Sequence, residues 1–189
     1  MEDSALERLA PEFDEDATVL AAQRGDHTAL SDLYAHYFPR VYRYVGARLT
    51  STHDSEDVTE EIFLKIIDNL PAYQFRGLPF GAWVFRIARN EVVSHVRRQK
   101  VRGTTSQLSE TIADDSADHT REVETQLTIA MVRTLTERLP DAQRQVITLR
   151  FGAGLSVAET AQALKKTENN VKVLQHKGIA RLQQMVARQ

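Results

Sequence analysis

Apolar residues recur at helical spacing through most of this chain. Leu30, Leu33, Tyr34, Tyr37, Val41, Tyr44, Val45 and Leu49 trace one such face, with Pro39 expected to kink or break the helix that carries it. Val58, Ile62, Phe63, Ile66, Ile67 and Leu70 trace a second, on a helix that starts at Asp54 or Ser55 and stops before Pro71. Phe80, Val84, Ala88, Val92 and Val96 recur every four residues, with Trp83 and Ile87 beside them, on a long helix over 82–102. A short helix precedes these, from Ala17 to Arg24, with Gly25 as its stop and Asp26 as the next N-cap. Beyond residue 124, Leu127, Met131, Leu135 and Leu139 share a face as far as Pro140, and Val146, Ile147 and Phe151 point inward from Asp141–Phe151. Two segments lack the period: acidic 1–16, interrupted by Pro11, and 103–124, rich in Thr, Ser and Asp. No hairpin signal appears. The pattern predicts an all-α chain of two small helical domains, 17–102 and 125–189, joined by a flexible acidic linker over 103–124.

The last stretch, Ser156 to Arg181, reads as two helices around a tight polar turn. Ser156 and Glu159 have the form of a capping box, and Val157, Ala161 and Leu164 fall on one face. Thr167 can cap a second helix whose inward stripe is Val171, Leu174, Gly178 and Leu182. That leaves Asn169, Asn170, Lys172, His176 and Lys177 outside or flanking, the arrangement a helix-turn-helix uses to enter the major groove. An ordinary helical hairpin with a solvated face fits the same pattern.

Charge sharpens the picture. The total is −2, but residues 125–189 carry 10 Lys and Arg against 4 Asp and Glu, whereas 101–124 carry 2 against 6. Arg76 to Arg102 holds seven cations and one acid, Glu91. Two basic patches around an acidic linker suit a polyanion gripped at two places. The loop at 71–81, with Tyr73, Phe75 and Phe80, adjoins the basic face of 82–102, a plausible site for unstacked bases on a single strand; Phe80 and Trp83 can equally be core. Glu56, Asp57, Glu60, Glu61 and Asp68 make the helix before it an acidic ridge, either a solvated face or the receptor of a basic partner.

Other chemistries find little support. There is no Cys, so neither disulfides nor thiolate metal sites are available, and a reducing cytoplasm is the expected location. The six His are scattered without i, i+4 pairs, so no metal is expected. No apolar run is long enough for membrane insertion, and the acidic N-terminus lacks the character of a signal peptide. Neither a Gly-rich phosphate loop nor a nucleophile elbow is present, so neither enzymatic activity nor a cofactor is expected.

Four stretches together resemble the sigma-70 family of RNA polymerase sigma factors, in its small two-domain extracytoplasmic-function (ECF) group. SEDVTEEIFLKIIDNL resembles the helix that binds core polymerase, and FGAWVFRIARNEVVSHVRR the helix that reads and melts the minus-ten element. LPDAQRQVITLRFGAGLSVAETAQAL and NNVKVLQHKGIARL resemble the minus-35-binding domain. The resemblance implies that 17–102 is sigma domain 2 and 125–189 sigma domain 4. Asp57, Glu60, Glu61 and Lys65 would then meet the clamp helices of the largest polymerase subunit, with the flap as a further contact. Glu60 stands where the family usually has Gln, and Ser94 replaces a common Asp, while Arg89 and Asn90 match the family's Arg-Asn. The 71–81 loop falls at the position of the loop that captures a flipped non-template base. Phe75, Arg76, Phe80, Arg86, Arg89, Asn90, Arg97 and Arg98 are the minus-ten candidates, and Asn169, Asn170, Lys172, His176, Lys177 and Arg181 the minus-35 candidates. Lys165 occupies a turn position where many such motifs keep Gly, and Val173-Leu174 replaces a frequent Ser-Arg pair. The family also leads one to expect promoter DNA, as duplex and as non-template single strand, and an anti-sigma factor as partners. A stand-alone helix-turn-helix regulator remains the alternative; it has no need of the acidic 55–70 ridge.

Overall fold

A computed structural model describes residues 13–75, 79–103 and 134–188, and every described element is helical. The expectations for 1–12, for Arg76, for the linker and for Leu127 and Met131 lie outside the described residues. Helix α1 spans Glu15–Gln23, capped by the Asp14 carboxylate on the Ala17 amide. Gly25, at φ 89°, turns the chain into Asp26, which caps α2, His27–Gly46, by accepting from the Thr28 and Ala29 amides. Pro39 lies within α2 and does not end it. The carbonyl deprived of its partner belongs to Ala35, on the exposed side of the helix, where water can take the place of the missing N–H.

Helix α3, Thr52–Asn69, begins one turn earlier than expected, because Ser51 and not Asp54 or Ser55 is the N-cap, its hydroxyl accepting from the Asp54 amide. A single 3-10 turn, Leu70–Ala72, carries the chain past Pro71. Helix α4, Phe80–Gly103, lies across α2 and α3. Their shared interior holds Val41, Tyr44, Val45, Val58, Ile62, Phe80, Phe85, Ala88 and Val92. Tyr44 is wholly inside, whereas Ile67, placed in the buried stripe by its spacing, is exposed.

In the second unit, Leu135 and Leu139 are buried on the helical turn before Pro140. Helix α5, Asp141–Ile147, continues into a wider π turn, Thr148–Gly152. That widening changes which residues face in. A π turn advances less per residue than an α turn, so Leu149 takes the interior position and Phe151, expected inside, is 60% exposed. Helices α6, Val157–Ala163, and α7, Glu168–Val186, are the two arms of the helix-turn-helix. Both expected caps are present: Ser156 and Glu159 bond reciprocally, and the Thr167 hydroxyl accepts from the Asn170 amide. Lys165 has φ 52°, the one left-handed non-glycine among the described residues, at the turn where related motifs favour Gly. Gly178 lets α7 approach α5 closely, since a Cβ there would stand 2.9 Å from Ile147 Cγ1.

The two units share one continuous apolar cluster, in which Val146, Leu149, Ala153, Leu155 and Ala161 join the residues of α2 and α4. Helix α6 rests on α4, and the π turn on α2.

Candidate nucleic-acid and polymerase interfaces

The three proposed surfaces differ in what already occupies them. On α7, Asn169, Asn170, Lys172, His176, Lys177 and Arg181 are all exposed. Val171 and Gly178 anchor the opposite side of that helix in the core, so its outer face is held at a fixed angle with its amides and cations free to meet a groove.

On α4, Asn90, Arg97 and Arg98 are exposed, but Arg86 and Arg89 are only half so. Arg86 Nη2 donates to the Gln162 carbonyl at 3.2 Å, and Arg89 Nε to Gln145 Oε1 at 2.9 Å. Both acceptors belong to the second unit. Phe80 is core rather than surface: it is 1% exposed and packs edge-on against Tyr37 and Tyr73, so its ring has no open face for a base. Phe75, by contrast, is 65% exposed. It borders a hollow with Asp16, Val19, Leu20, Gln23 and Tyr73, and the Gln23 amide holds the loop's path by donating to the carbonyls of Leu70 and Tyr73. The contribution of α1 to this hollow was not legible from the loop sequence, because Gln23 reaches it only through tertiary packing.

On α3, Asp57, Glu60, Glu61 and Lys65 are all exposed along one flank. Two of them are engaged across the α3–α4 seam: Lys65 Nζ meets Glu91 Oε2 at 2.6 Å, and Glu61 Oε2 meets Arg98 Nη2 at 3.4 Å. Lys65 therefore neutralises the buried Glu91, a role its sequence neighbours do not reveal. Leu64, at 63% exposure, stands one turn beyond Glu60 and Glu61, with Ile67 nearby. The sequence reading passed over Leu64; its spacing out of step with Val58, Ile62 and Ile66 was the available signal.

Where the units meet, Arg40 Nε donates to the Ala153 carbonyl at 2.9 Å and Arg43 Nε to that of Gly152 at 3.3 Å. Arg48, with a side chain only 4% exposed, reaches Asp141 Oδ1 at 3.3 Å. Burial alone would raise the Asp141 pKa, yet the hydrogen bond from Arg144, the charge of Arg48 and the Gln145 amide outweigh it and hold the carboxyl below its usual range. Among the described residues there is no grouping of three or more His, Cys, Asp or Glu suited to a metal, and no helix long and apolar enough to cross a membrane.

An exposed cationic helix-turn-helix beside a second basic helix defines a nucleic-acid-binding helical protein. Comparison with known proteins narrows the class. Residues 33–102 match Sigma-70 region 2, and residues 137–184 match Sigma-70, region 4. The chain is 34% identical over 176 residues to the ECF RNA polymerase sigma factor ShbA of Streptomyces griseus, covering 88% of this chain and 92% of that protein. It is 34% identical over 173 residues to the ECF sigma factor SigD of Mycobacterium tuberculosis, covering 88% and 81%. Identity to the ECF sigma factor BldN of Streptomyces coelicolor is also 34%, over 87% of this chain but only 63% of the length of BldN. Among solved structures, CnrH in complex with the cytosolic domain of CnrY shares the fold at TM-score 0.71 and 20% identity, over 92% of this chain and 97% of that one. The chain belongs to the ECF group of the sigma-70 family.

Proposed function

We propose that this chain is a transcription initiation factor that binds core RNA polymerase and directs it to a bipartite promoter. Family membership and the pairing of an exposed recognition helix with a separate basic helix support the reading. In this scheme α7 docks on minus-35 duplex, its cations against phosphates and Asn169, Asn170 and His176 against base edges. Arg86, Arg89, Asn90, Arg97 and Arg98 follow the non-template strand as the minus-ten region opens, with Arg76 among the strand contacts, and Phe75 and its hollow receive an unstacked base. Asp57, Glu60 and Glu61, joined by the apolar Leu64 and Ile67, form the ridge for the polymerase clamp helices. The chemistry of RNA synthesis belongs to the polymerase. An anti-sigma factor is the expected regulator, and association with the nucleoid follows from assembly into holoenzyme.

Co-purification with core polymerase is the deciding experiment. Reversing Asp57 and Glu61 to Lys should abolish it while leaving binding to isolated minus-35 duplex intact. Full retention of core binding by that variant would remove α3 from the interface, whereas failure of the unaltered chain to co-purify would favour a stand-alone DNA-binding regulator.

A further inference from the structure

Val173 and Leu174 are neighbours on α7 with opposite surroundings. Leu174 is half-buried and packs against the shared apolar cluster, whereas Val173 is exposed. At 3.6 residues per turn, Val173 lies about 200° around the helix from the buried Val171, while the buried Gly178 returns to within about 20° of it. Val173 therefore stands close to the point of α7 farthest from the core and adds nothing to it. Asn169 and His176 flank it on one side, Asn170 and Lys177 on the other, and all four are exposed. The rotation of the helix is fixed from its inner flank. There Arg150 Nε donates to Gln175 Oε1 at 3.0 Å, and Arg150 Nη1 donates to the Leu155 carbonyl.

A single exposed valine is ordinary on a protein surface. This one sits among amides and cations at the centre of a recognition face, where a β-branched residue serves the helix less well than Ala would. Its side chain has neither donor nor acceptor, so it reads no nitrogen or oxygen of a base edge. The apolar feature that the major groove offers is the C5-methyl of thymine. We infer that Val173 is a specificity-determining residue for the minus-35 duplex, packing against a thymine methyl between the polar contacts of its neighbours. Cytosine presents only a C–H at that place, and a purine sets polar edge atoms against a side chain that cannot pair with them. The contact rests on the assignment of α7 to the minus-35 duplex.

The test uses the full-length chain, alone and in holoenzyme with core polymerase, to select from randomised duplexes. Each thymine of the selected duplex is then replaced in turn by deoxyuridine, which removes the methyl and nothing else. At least one replacement should weaken binding of the original chain about fourfold, the effect of withdrawing one methyl group from contact. The same replacement should leave binding by Val173→Ala unchanged. Ala is the better helix former, so the variant keeps α7 intact, and circular dichroism verifies it. If neither form enriches any sequence, the assignment of α7 to the minus-35 duplex falls and the Val173 contact falls with it. An enriched sequence whose deoxyuridine replacements act equally on both chains, or on neither, overturns the role of Val173 alone. Loss of assembly with core polymerase in Val173→Ala, without a deoxyuridine effect in the original chain, assigns the residue to a protein contact instead.

Discussion

Gly178 sets how closely the recognition helix sits on the rest of its unit, and replacing it with Ala should reveal this. In the interior of a helix, Gly→Ala ordinarily stabilises by about 0.5–1 kcal/mol through the unfolded chain. Here the new methyl would lie 2.9 Å from Cγ1 and 3.1 Å from Cδ1 of Ile147, with Gln143 Cβ at 3.7 Å. Ile147 is buried, so its side chain has little space to retreat into. Overpacking of this kind costs about 1–3 kcal/mol. The balance is a net loss of roughly 0.5–2 kcal/mol, which for a chain of this size lowers the midpoint by about 1–8 °C. Thermal and urea denaturation followed by circular dichroism reads it. The second arm of the experiment is decisive on mechanism. With Ile147→Ala already in place the obstruction is gone, so adding Gly178→Ala should now stabilise. A Gly178→Ala chain more stable than the original by about 1 kcal/mol would show that Ile147 moves aside freely and would refute the close-approach argument.

Other outcomes follow from the same geometry. Lys65→Ala should destabilise the first unit by about 1–3 kcal/mol, because Glu91 is left buried without its cation, and Lys65→Ala with Glu91→Gln should recover part of that loss in the same melts. Asn170→Ala should weaken promoters unequally in binding assays, by about 1–3 kcal/mol at the site where it reads a base; a uniform loss across sequences would assign it to phosphate instead. His36 stacks on Phe13 at 4.0 Å and lies 3.3 Å from Arg40 Nη1, and burial together with the Arg40 charge lowers its pKa. The unfolded chain therefore binds this proton more readily, so the stabilisation is complete above about pH 6.5 and is lost as pH falls through the unfolded value toward the lower folded one. His36→Gln should flatten the stability profile over that window.

The helices were legible because each buries one face, and burial leaves its period in the sequence. The capping box at Ser156 and the cap at Thr167 were equally plain, since a cap is a short-range bond between fixed positions. Errors arose where tertiary geometry overrode the period. The π turn inserts an extra residue into the count, so Phe151, expected inside, is exposed and Leu149 is buried. Phe80 carries the same aromatic label whether it meets a base or the Tyr37 ring, and only packing decides. The candidate surface on α7 could be read almost entirely from outward polar positions. The junction between units could not, because among the described residues Arg40, Arg43 and Arg86 reach backbone carbonyls, which any residue provides.

The Lys65–Glu91 and Arg98–Glu61 pairs tie the acidic flank of α3 to the basic flank of α4. Genetically, the two faces are therefore not separable by single substitutions at Glu61 or Lys65, whereas Asp57, which pairs with His53 within α3, leaves α4 untouched. If Glu61 meets polymerase and Arg98 meets DNA, as proposed, reversing Glu61 also releases Arg98 and alters the charge that α4 presents. A defect in promoter opening and a defect in assembly can thus arise from one codon. Suppressor screens in this protein should recover second-site changes across the seam, pairing positions on α3 with positions on α4 rather than with positions on either partner.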